Sequence, residues 1–250
     1  MILEVNGLRY QYPDRPVLEE INFSVQRGEV LAILGTNGAG KTTLLKCINR
    51  ILIPETGTVM INDHPITELS RRDLAKKIAY VEQQRTGSRA RVFNTVLLGR
   101  KPYIHWDITD QDMKVASQAL ETLRLSEYAL RFLDELSGGE LQKVIIARAL
   151  AQEPDILLMD EPTNSLDLKN QLEVLTLIRQ ISQERGIAAV VAMHDLNLAL
   201  RFADRFLFLK DKTIYATGGM DVMTPENIQS VYGVPVRIAA QNGTRVVVLL

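Results

Sequence analysis

The sequence predicts an α/β protein built on a mainly parallel sheet with helices on both faces. Three short apolar runs, at residues 30–34, 156–159 and 187–193, are typical of strands that are buried on both sides. Stretches with helical spacing lie between these runs, and this alternation favours a parallel sheet. A helix-dominated stretch at residues 92–151 interrupts the alternation. We therefore expect a helical subdomain inserted into an α/β core.

The segments at both ends extend this core. Residues 2–33 contain short strand-like runs separated by turn residues, which predicts an antiparallel β subdomain at the N-terminus. Near the C-terminus, a helix opened by Thr224-Pro225-Glu226 precedes a last strand at 244–250. The expected parts of this single domain are a core with its β subdomain at 1–84 and 155–217, a helical subdomain at 85–154 and a C-terminal extension at 218–250.

A glycine-rich motif lies between the first buried run and the helix that follows it. Residues 35–42, GTNGAGKT, fit the pattern G-x-x-x-x-G-K-[ST]. Glycines let the loop's N–H groups turn inward around phosphate oxygens, beside the positive end of a helix. A plain tight turn is the alternative, but the flanking strand and helix favour nucleotide binding. Lys41 is expected to reach the β- and γ-phosphates, and the Thr42 hydroxyl to bind Mg²⁺. The candidate phosphate-binding residues are Gly35, Asn37, Gly38, Ala39, Gly40, Lys41, Thr42 and Thr43.

The second apolar run ends in two carboxylates, Asp160 and Glu161. Ligands bind beyond the carboxyl ends of parallel strands, and the run at 30–34 ends at the same edge of the sheet. We therefore expect Asp160 to approach the Mg²⁺ held by Thr42, and Glu161 to act on water as a general base. The alternative is that the two acids merely begin a loop, and the neighbouring glycine motif makes it the weaker interpretation.

A third motif, LSGGE at residues 136–140, precedes a predicted helix at 141–151. Ser137 is a natural helix cap and Glu140 suits the positive helix end. Capping does not require two glycines, which weaken a helix. The turn Ser137-Gly138-Gly139 therefore predicts a second phosphate-binding surface. Because one nucleotide does not need two such surfaces on one chain, we expect a homodimer in which this turn faces the partner's glycine loop.

These motifs, in this order and with LLMDEP after LSGGE, resemble those of ABC-type ATPase subunits over nearly the whole chain. The resemblance implies a P-loop NTPase core that binds ATP and Mg²⁺ and hydrolyses ATP. It also implies residue roles. Tyr12 matches the aromatic residue that stacks on adenine, Gln83 the glutamine that senses Mg²⁺ and the γ-phosphate, and His194 the histidine that contacts the γ-phosphate. Gln84 is adjacent to Gln83, so which glutamine is the sensor stays open. Ser165-Leu166-Asp167 matches the segment that crosses the dimer interface.

Further segments resemble one subgroup of this family. Leu98-Gly99-Arg100, HDLNLAL at 194–200 and TPENIQSVYGV at 224–234 are similar to ATPase subunits of importers for iron–siderophore, haem and cobalamin complexes. The resemblance implies docking on an integral membrane permease and, indirectly, cooperation with a substrate-binding protein. The basic loop at residues 85–93 follows the candidate sensor Gln83, so it is a hypothetical coupling surface. A solvated loop is the alternative.

Two other functions are alternatives to transport. A soluble ABC-type ATPase acting on nucleic acid usually carries a coiled-coil or zinc-bearing insertion before LSGGE. This chain has neither heptad runs nor cysteine pairs there, and it lacks a basic stripe, so no nucleic acid partner is expected. A regulatory ATP binder without turnover is the other alternative, and Glu161 and His194 argue against it.

Composition is consistent with this interpretation. The 250 residues carry a net charge of −1 and a single cysteine, Cys47, which excludes an internal disulfide. The N-terminal stretch has no signal-peptide pattern, and the apolar runs are too short to span a bilayer. We therefore expect a cytoplasmic protein that is peripheral on the inner face of the cell membrane through its permease.

Overall fold

A computed structural model describes residues 1–82, 89–164, 166–241 and 244–250 of the chain. Its strands are β1 Leu3–Tyr12, β2 Arg15–Val25, β3 Val30–Leu34, β4 Thr56–Ile61, β5 His64–Pro65, β6 Ile78–Val81, β7 Ile156–Asp160, β8 Ala188–Ala192, β9 Arg205–Lys210, β10 Thr213–Gly218, β11 Val236–Gln241 and β12 Thr244–Leu249. Its helices are α1 Lys41–Ile48, α2 Arg71–Lys77, α3 Val92–Leu97, α4 Asp110–Thr122, α5 Gly138–Leu150, α6 Leu168–Arg185, α7 Leu196–Phe202 and α8 Pro225–Tyr232. Short 3₁₀ turns lie at Leu98–Arg100, Ser126–Tyr128 and Leu133–Glu135.

The central sheet has six strands in the order β10-β9-β3-β8-β7-β6. All neighbouring pairs are parallel except β10 with β9. The strands β3, β7 and β8 are buried along their whole length. Their carboxyl ends meet at one edge, which brings together Gly35, Asp160-Glu161 and Met193-His194. The predicted parallel sheet and its apolar runs are thus confirmed.

Alternate side chains of β3 enter two different cores, which explains its continuous apolar sequence. Ala32 and Leu34 belong to the core under the helices α3–α7, whereas Leu31 and Ile33 belong to the core shared with the N-terminal sheet. A strand that packs on both faces cannot alternate with polar residues. The strand before the glycine loop is therefore fixed by packing from two sides.

The N-terminal sheet is antiparallel, in the order β2-β1-β4-β5. The two short strands predicted within residues 2–12 are one strand, β1. Its register with β2 shifts between Val5 and Leu8 and again beyond Leu8, so the polar stretch between them remains in the sheet. The fold class is otherwise as expected, with an antiparallel sheet beside the parallel one.

The helices α3, α4 and α5 pack against one another and share a core with β7 and α6. Helix α5 begins at Gly138, three residues before the predicted start, because Ser137 caps it and the two glycines adopt helical geometry. Helix α4 begins with a capping box formed by Thr109 and Asp112.

The C-terminal segment contains more secondary structure than the predicted helix and single strand. Helix α8 is followed by the hairpin β11–β12, and β11 was not predicted. The strands β9 and β10 were not predicted individually either. Among the described residues, none of the helices is long and apolar enough to cross a membrane.

Candidate functional site

The glycine loop is shaped by close backbone contacts. Gly35 has φ 152°, and a Cβ there would lie 2.6 Å from the carbonyl oxygen of Leu209 in β9. Gly40 has φ 104° in the left-handed region and caps α1 without a side chain. Only glycine tolerates both the backbone geometry and the space at these positions. The loop therefore presents its backbone to the cavity beside it.

Lys41, the first residue of α1, folds back over this loop. Its Nζ donates hydrogen bonds to the carbonyl oxygens of Gly35 at 2.7 Å and Thr36 at 3.1 Å. Burial lowers the pKa of Lys41, and the negative charges of Glu161 and Asp160 oppose this effect. The ammonium group is thus desolvated and held by neutral acceptors, which makes it a ready partner for an anion.

Asp160 is the last residue of β7 and is almost fully buried, with 2% of its surface exposed. Its Oδ1 atom has no hydrogen-bond partner within the described part of the chain. Burial raises the pKa of Asp160, although a hydrogen bond from the Thr42 side chain acts in the opposite direction. A buried carboxylate oxygen with no donor, beside a threonine hydroxyl, fits the oxygen ligands that Mg²⁺ requires. Among the described residues, no group of three or more His, Cys, Asp or Glu side chains is placed to hold a metal ion.

Glu161 follows directly and has φ 51°, a left-handed geometry that turns the chain away from the sheet. Its backbone N–H donates to the carbonyl of Ala192 at 3.1 Å. One oxygen of its side chain contacts Nε2 of His194, and the other accepts a hydrogen bond from Asn164 at 3.4 Å. The histidine side chain is 41% exposed and the glutamate side chain 11% exposed. The structure thus brings two of the three predicted catalytic residues, Glu161 and His194, into direct contact.

A cavity of about 230 Å³ lies over the glycine loop. Its wall includes the aromatic ring of Tyr12, which is 41% exposed and packs edge-to-face on Tyr10. Arg15 also lines the cavity, and it was not among the predicted site residues because one cation after a turn is not a specific signal. The lining residues are Tyr12, Arg15, Val17, Asn37, Gly38, Gly40, Lys41, Thr42, Thr43 and Glu161.

The turn Ser137-Gly138-Gly139 is not among the residues that line this cavity. Ser137 forms a complete capping box with Glu140, and these hydrogen bonds lower the pKa of Glu140. A Cβ on Gly139 would collide with the side-chain amide of Asn170 in α6. Close packing against Asn170 therefore favours glycine at position 139, in addition to the open amide that the sequence suggested.

Several residues that the sequence singled out lie outside the described part of the chain. Gln83, the candidate sensor, lies outside the described residues, as do Gln84 and residues 85–88 of the hypothetical coupling loop. Ser165 also lies outside them. Its neighbour Asp167 accepts a hydrogen bond from the Asn170 N–H at 2.8 Å and so caps α6.

A groove lies between α2 and the helical layer. It comprises two adjoining cavities of about 520 and 500 Å³, which share Tyr80 and Gln152 among their lining residues. The side chain of Trp106 is 95% exposed and follows His105, whose Nδ1 lies 3.2 Å from Arg72 in the wall of the groove. The cationic residues that line the groove are Arg50, Arg71, Arg72, Lys101 and Arg148.

The family model described as ABC transporter matches residues 18–164, which span the glycine loop, LSGGE and both carboxylates. The chain belongs to the ABC transporter family. This confirms the family indicated by the motifs, and the chain is the ATP-binding subunit of an ABC transporter, an ATPase whose reaction is coupled to transport.

Relatives and solved structures agree with this membership. An uncharacterized ABC transporter ATP-binding protein of Methanocaldococcus jannaschii is 57% identical over 99% of this chain and 98% of its own length. The iron(3+)-hydroxamate import ATP-binding protein of Bacillus subtilis is 37% identical over 97% of this chain and 91% of its own.

Two solved ABC structures cover most of the fold. A chain from an inward-facing transporter described as metal-chelate type has a TM-score of 0.87 and 31% identity, covering 100% of this chain and 97% of that chain. A dimeric cassette described as bound to ADP and Pi has a TM-score of 0.75 and 30% identity, covering 88% of this chain and 99% of that chain. The comparisons give no support to a nucleic acid partner.

Proposed function

We propose that this ABC subunit binds ATP in the cavity over its glycine loop and hydrolyses it with Glu161 as the general base. The observation that carries this proposal is the convergence of three strand ends, which bring Lys41, Asp160 and the Glu161–His194 pair to one edge of the sheet. Tyr12 would stack on the adenine ring, and the loop amides and Lys41 would hold the phosphates.

Mg²⁺ fits the same site through Thr42 and Asp160. When bound, the ion would neutralise charge on the β- and γ-phosphates. The support is the buried Oδ1 of Asp160, which lacks a donor within the described part of the chain, and the Thr42 hydroxyl beside it. By family resemblance Gln83 would contribute as well.

Glu161 is suited to accept a proton from the attacking water. Its carboxylate is mostly shielded from solvent, and His194 and Asn164 hold it from two directions. His194 is the more exposed partner, so it can reach a γ-phosphate while it orients the glutamate. This arrangement assigns proton acceptance to Glu161 and positioning and phosphate contact to His194.

The ATP site is proposed to be completed by a second copy of the chain. Ser137-Gly138-Gly139 presents a helix N-terminus that does not line the chain's own ATP cavity. A twofold homodimer would bring this turn onto the partner's glycine loop, which leaves two composite sites. A related cassette is described as dimeric.

The test of base and dimer together is a pair of variants. Glu161→Gln keeps the size of the side chain but not its ability to accept a proton, so hydrolysis should slow by roughly 10²–10⁴-fold. ATP should still bind and should hold the variant as a dimer, measured by light scattering alongside phosphate release. Adding Ser137→Arg should abolish the dimer, because the long side chain fills the facing phosphate site.

Two results would contradict this model. Hydrolysis by Glu161→Gln at a nearly wild-type rate would remove Glu161 as the base. An ATP-dependent dimer that tolerates Ser137→Arg would remove the composite site. Ser117→Arg is the matched control, since Ser117 is an exposed serine within helix α4 rather than at a helix N-terminus.

The membrane partner is proposed to be an integral permease that docks on the groove beside α2. The groove combines cationic side chains with the exposed Leu98, which suits an amphipathic cytoplasmic segment of a membrane protein. The exposed Trp106 follows His105, which contacts Arg72 in the wall of the groove. The protein would then be cytoplasmic and held on the inner face of the membrane. Residues 85–93 would form part of the same coupling surface.

The cargo is proposed to be a metal chelate, taken up by an importer that includes a substrate-binding protein. Relatives named for iron(3+)-hydroxamate, petrobactin and cobalamin import support this class. Purification of the chain from membranes, with identification of the co-purifying permease, tests the assignment. Recovery with DNA or RNA instead of a permease would overturn it.

A further inference from the structure

Tyr232 connects the C-terminal segment to the ATP site. Its hydroxyl accepts a hydrogen bond from the Gly35 N–H at 3.0 Å. Gly35 is the first glycine of the loop, 197 positions away in sequence. Burial raises the pKa of Tyr232 to about 12, so the hydroxyl stays protonated at neutral pH.

Gly35 is bonded on both of its backbone groups. Its N–H is held by Tyr232, while its carbonyl oxygen accepts the hydrogen bond from Lys41 at 2.7 Å. A Cβ on Gly35 would lie 2.6 Å from the Leu209 carbonyl oxygen, so only glycine fits at the position that both bonds hold. Tyr232 and Lys41 therefore form hydrogen bonds with the same residue of the loop.

Tyr232 is itself held firmly in place. It is the last residue of α8, a helix capped by Thr224 and ended by Gly233 in the left-handed region. Ile228 and Val231 of this helix are buried in the core under the central sheet. The position of the hydroxyl is thus set by packing rather than by the loop that it contacts.

The same C-terminal segment is fastened near the catalytic histidine. The Val247 N–H donates to the side chain of Asn197 at 2.7 Å, and that side chain donates back to the Val247 carbonyl at 3.3 Å. Asn197 lies three residues after His194, on the helix α7 that Asp195 caps. This second connection explains why a segment remote in sequence stays fixed beside the site.

From these contacts we propose that Tyr232 is a positioning residue for ATP binding: its hydroxyl holds the Gly35 peptide so that the loop and Lys41 are oriented for phosphates. Loss of the hydroxyl leaves a buried N–H without its acceptor and frees the loop to shift. The inference rests on the proposed role of the glycine loop. Tyr232 acts through Gly35 and does not itself take part in the chemistry.

The test compares Tyr232→Phe with Tyr103→Phe. Both changes remove one hydrogen bond between a tyrosine and the backbone, since Tyr103 donates to the Gln152 carbonyl at 2.9 Å, away from the glycine loop. Tyr232→Phe should raise the dissociation constant for ATP about five- to tenfold, the scale of one buried hydrogen bond. Tyr103→Phe should leave it within twofold.

Hydrogen exchange distinguishes positioning from stability alone. In the wild-type protein without nucleotide, the Gly35 amide should be protected, and Tyr232→Phe should speed its exchange at least tenfold. Leu120→Val, which loosens the packing of α4 and leaves α8 unchanged, should lower the melting temperature without changing exchange at Gly35 or ATP affinity.

The outcomes separate this inference from the proposed function. ATP affinity unchanged in Tyr232→Phe, or lost equally in Tyr103→Phe, overturns the role of Tyr232. An unprotected Gly35 amide in the wild type overturns it even if Tyr232→Phe fails to fold. Lys41→Ala is the reference variant: if it too binds ATP normally, the loop is not the ATP site and the proposed function fails instead.

Discussion

Among the individual residues, Lys41 is a buried cation whose hydrogen bonds go to the backbone of the glycine loop. Only 5% of its surface is exposed, and its ammonium group donates to two backbone carbonyls of the loop. Burial lowers its pKa, and the negative charges of Glu161 and Asp160 only partly oppose this effect. Phosphate oxygens would compensate better, so the site is built for a charge that arrives with the ligand.

Lys41→Ala should therefore lower ATP affinity by at least about tenfold, the scale of a hydrogen bond between charged groups. The free energy of unfolding without ATP should change little, because the substitution also removes a buried charge. Equilibrium binding and urea unfolding of the same preparation check both statements. ATP affinity equal to that of the wild type would contradict the assignment of Lys41.

Among the elements, the helical layer depends on one buried arginine. Arg100 ends the 3₁₀ turn Leu98–Arg100 and pairs with Asp112 of α4 at 3.1 Å. It also donates to the Ala151 carbonyl at the end of α5, at 2.8 Å, and its guanidinium stacks on Tyr103. Gly99 lies so close to α5 that a Cβ there would collide with the Arg148 carbonyl. Three elements are thus joined at a point that sequence resemblance marked only as Leu98-Gly99-Arg100.

Arg100→Ala should lower the free energy of unfolding by about 3–5 kcal/mol, because it leaves Asp112 buried without its charged partner. The matched control is Arg89→Ala. Arg89 is 92% exposed and lies 4.0 Å from Asp134, so its loss should cost less than about 1 kcal/mol. Chemical denaturation of both variants measures the difference. Equal losses of unfolding free energy would mean that the buried pair of Arg100 and Asp112 does not stabilise the helical layer.

At the scale of the whole molecule, the ATP cavity and the groove lie on different parts of one chain. Tyr80 lines the groove. Its strand β6 pairs in parallel with β7, and β7 ends at Asp160. The diagonal neighbour of Tyr80 across this pair is Asp160, two positions beyond its partner Leu158. A permease docked in the groove would therefore be only one strand away from the proposed Mg²⁺ ligand.

Charge reversal on the coupling surface tests whether it transmits ATP hydrolysis. Arg89→Glu, Arg91→Glu and Lys101→Glu should each reduce transport in reconstituted vesicles severalfold. ATPase activity of the isolated subunit should stay unchanged, because these exposed residues do not line the ATP cavity. Lys114→Glu, an equally exposed change on α4, is the control. Normal transport by all three variants would reduce this surface to solvated loops.

How much the sequence predicted depended on whether a signal was local. The strands β3, β7 and β8 and the motifs at their ends are contiguous runs, so pattern alone located them. The last strand, β12, was predicted as well, whereas β9, β10 and β11 were not, because pairing with neighbouring strands fixes them. Arg15 and Tyr232 reach the site only through the fold, and no spacing in the sequence joins Tyr232 to Gly35. The sequence suggested that Gly139 exposes its amide to a phosphate. Its close contact with Asn170 joins two helices, so it could not be predicted from the motif alone.

The exposure of Trp106 has a practical consequence for spectroscopy. It is the sole tryptophan of the sequence, and its indole is 95% exposed beside the groove. Indole emission moves to shorter wavelength when the ring leaves water, so the wild-type chain carries an intrinsic fluorophore at the surface proposed to meet the permease. Docking to a permease without tryptophan should shift this emission to the blue, while ATP binding to the isolated subunit should leave it in place.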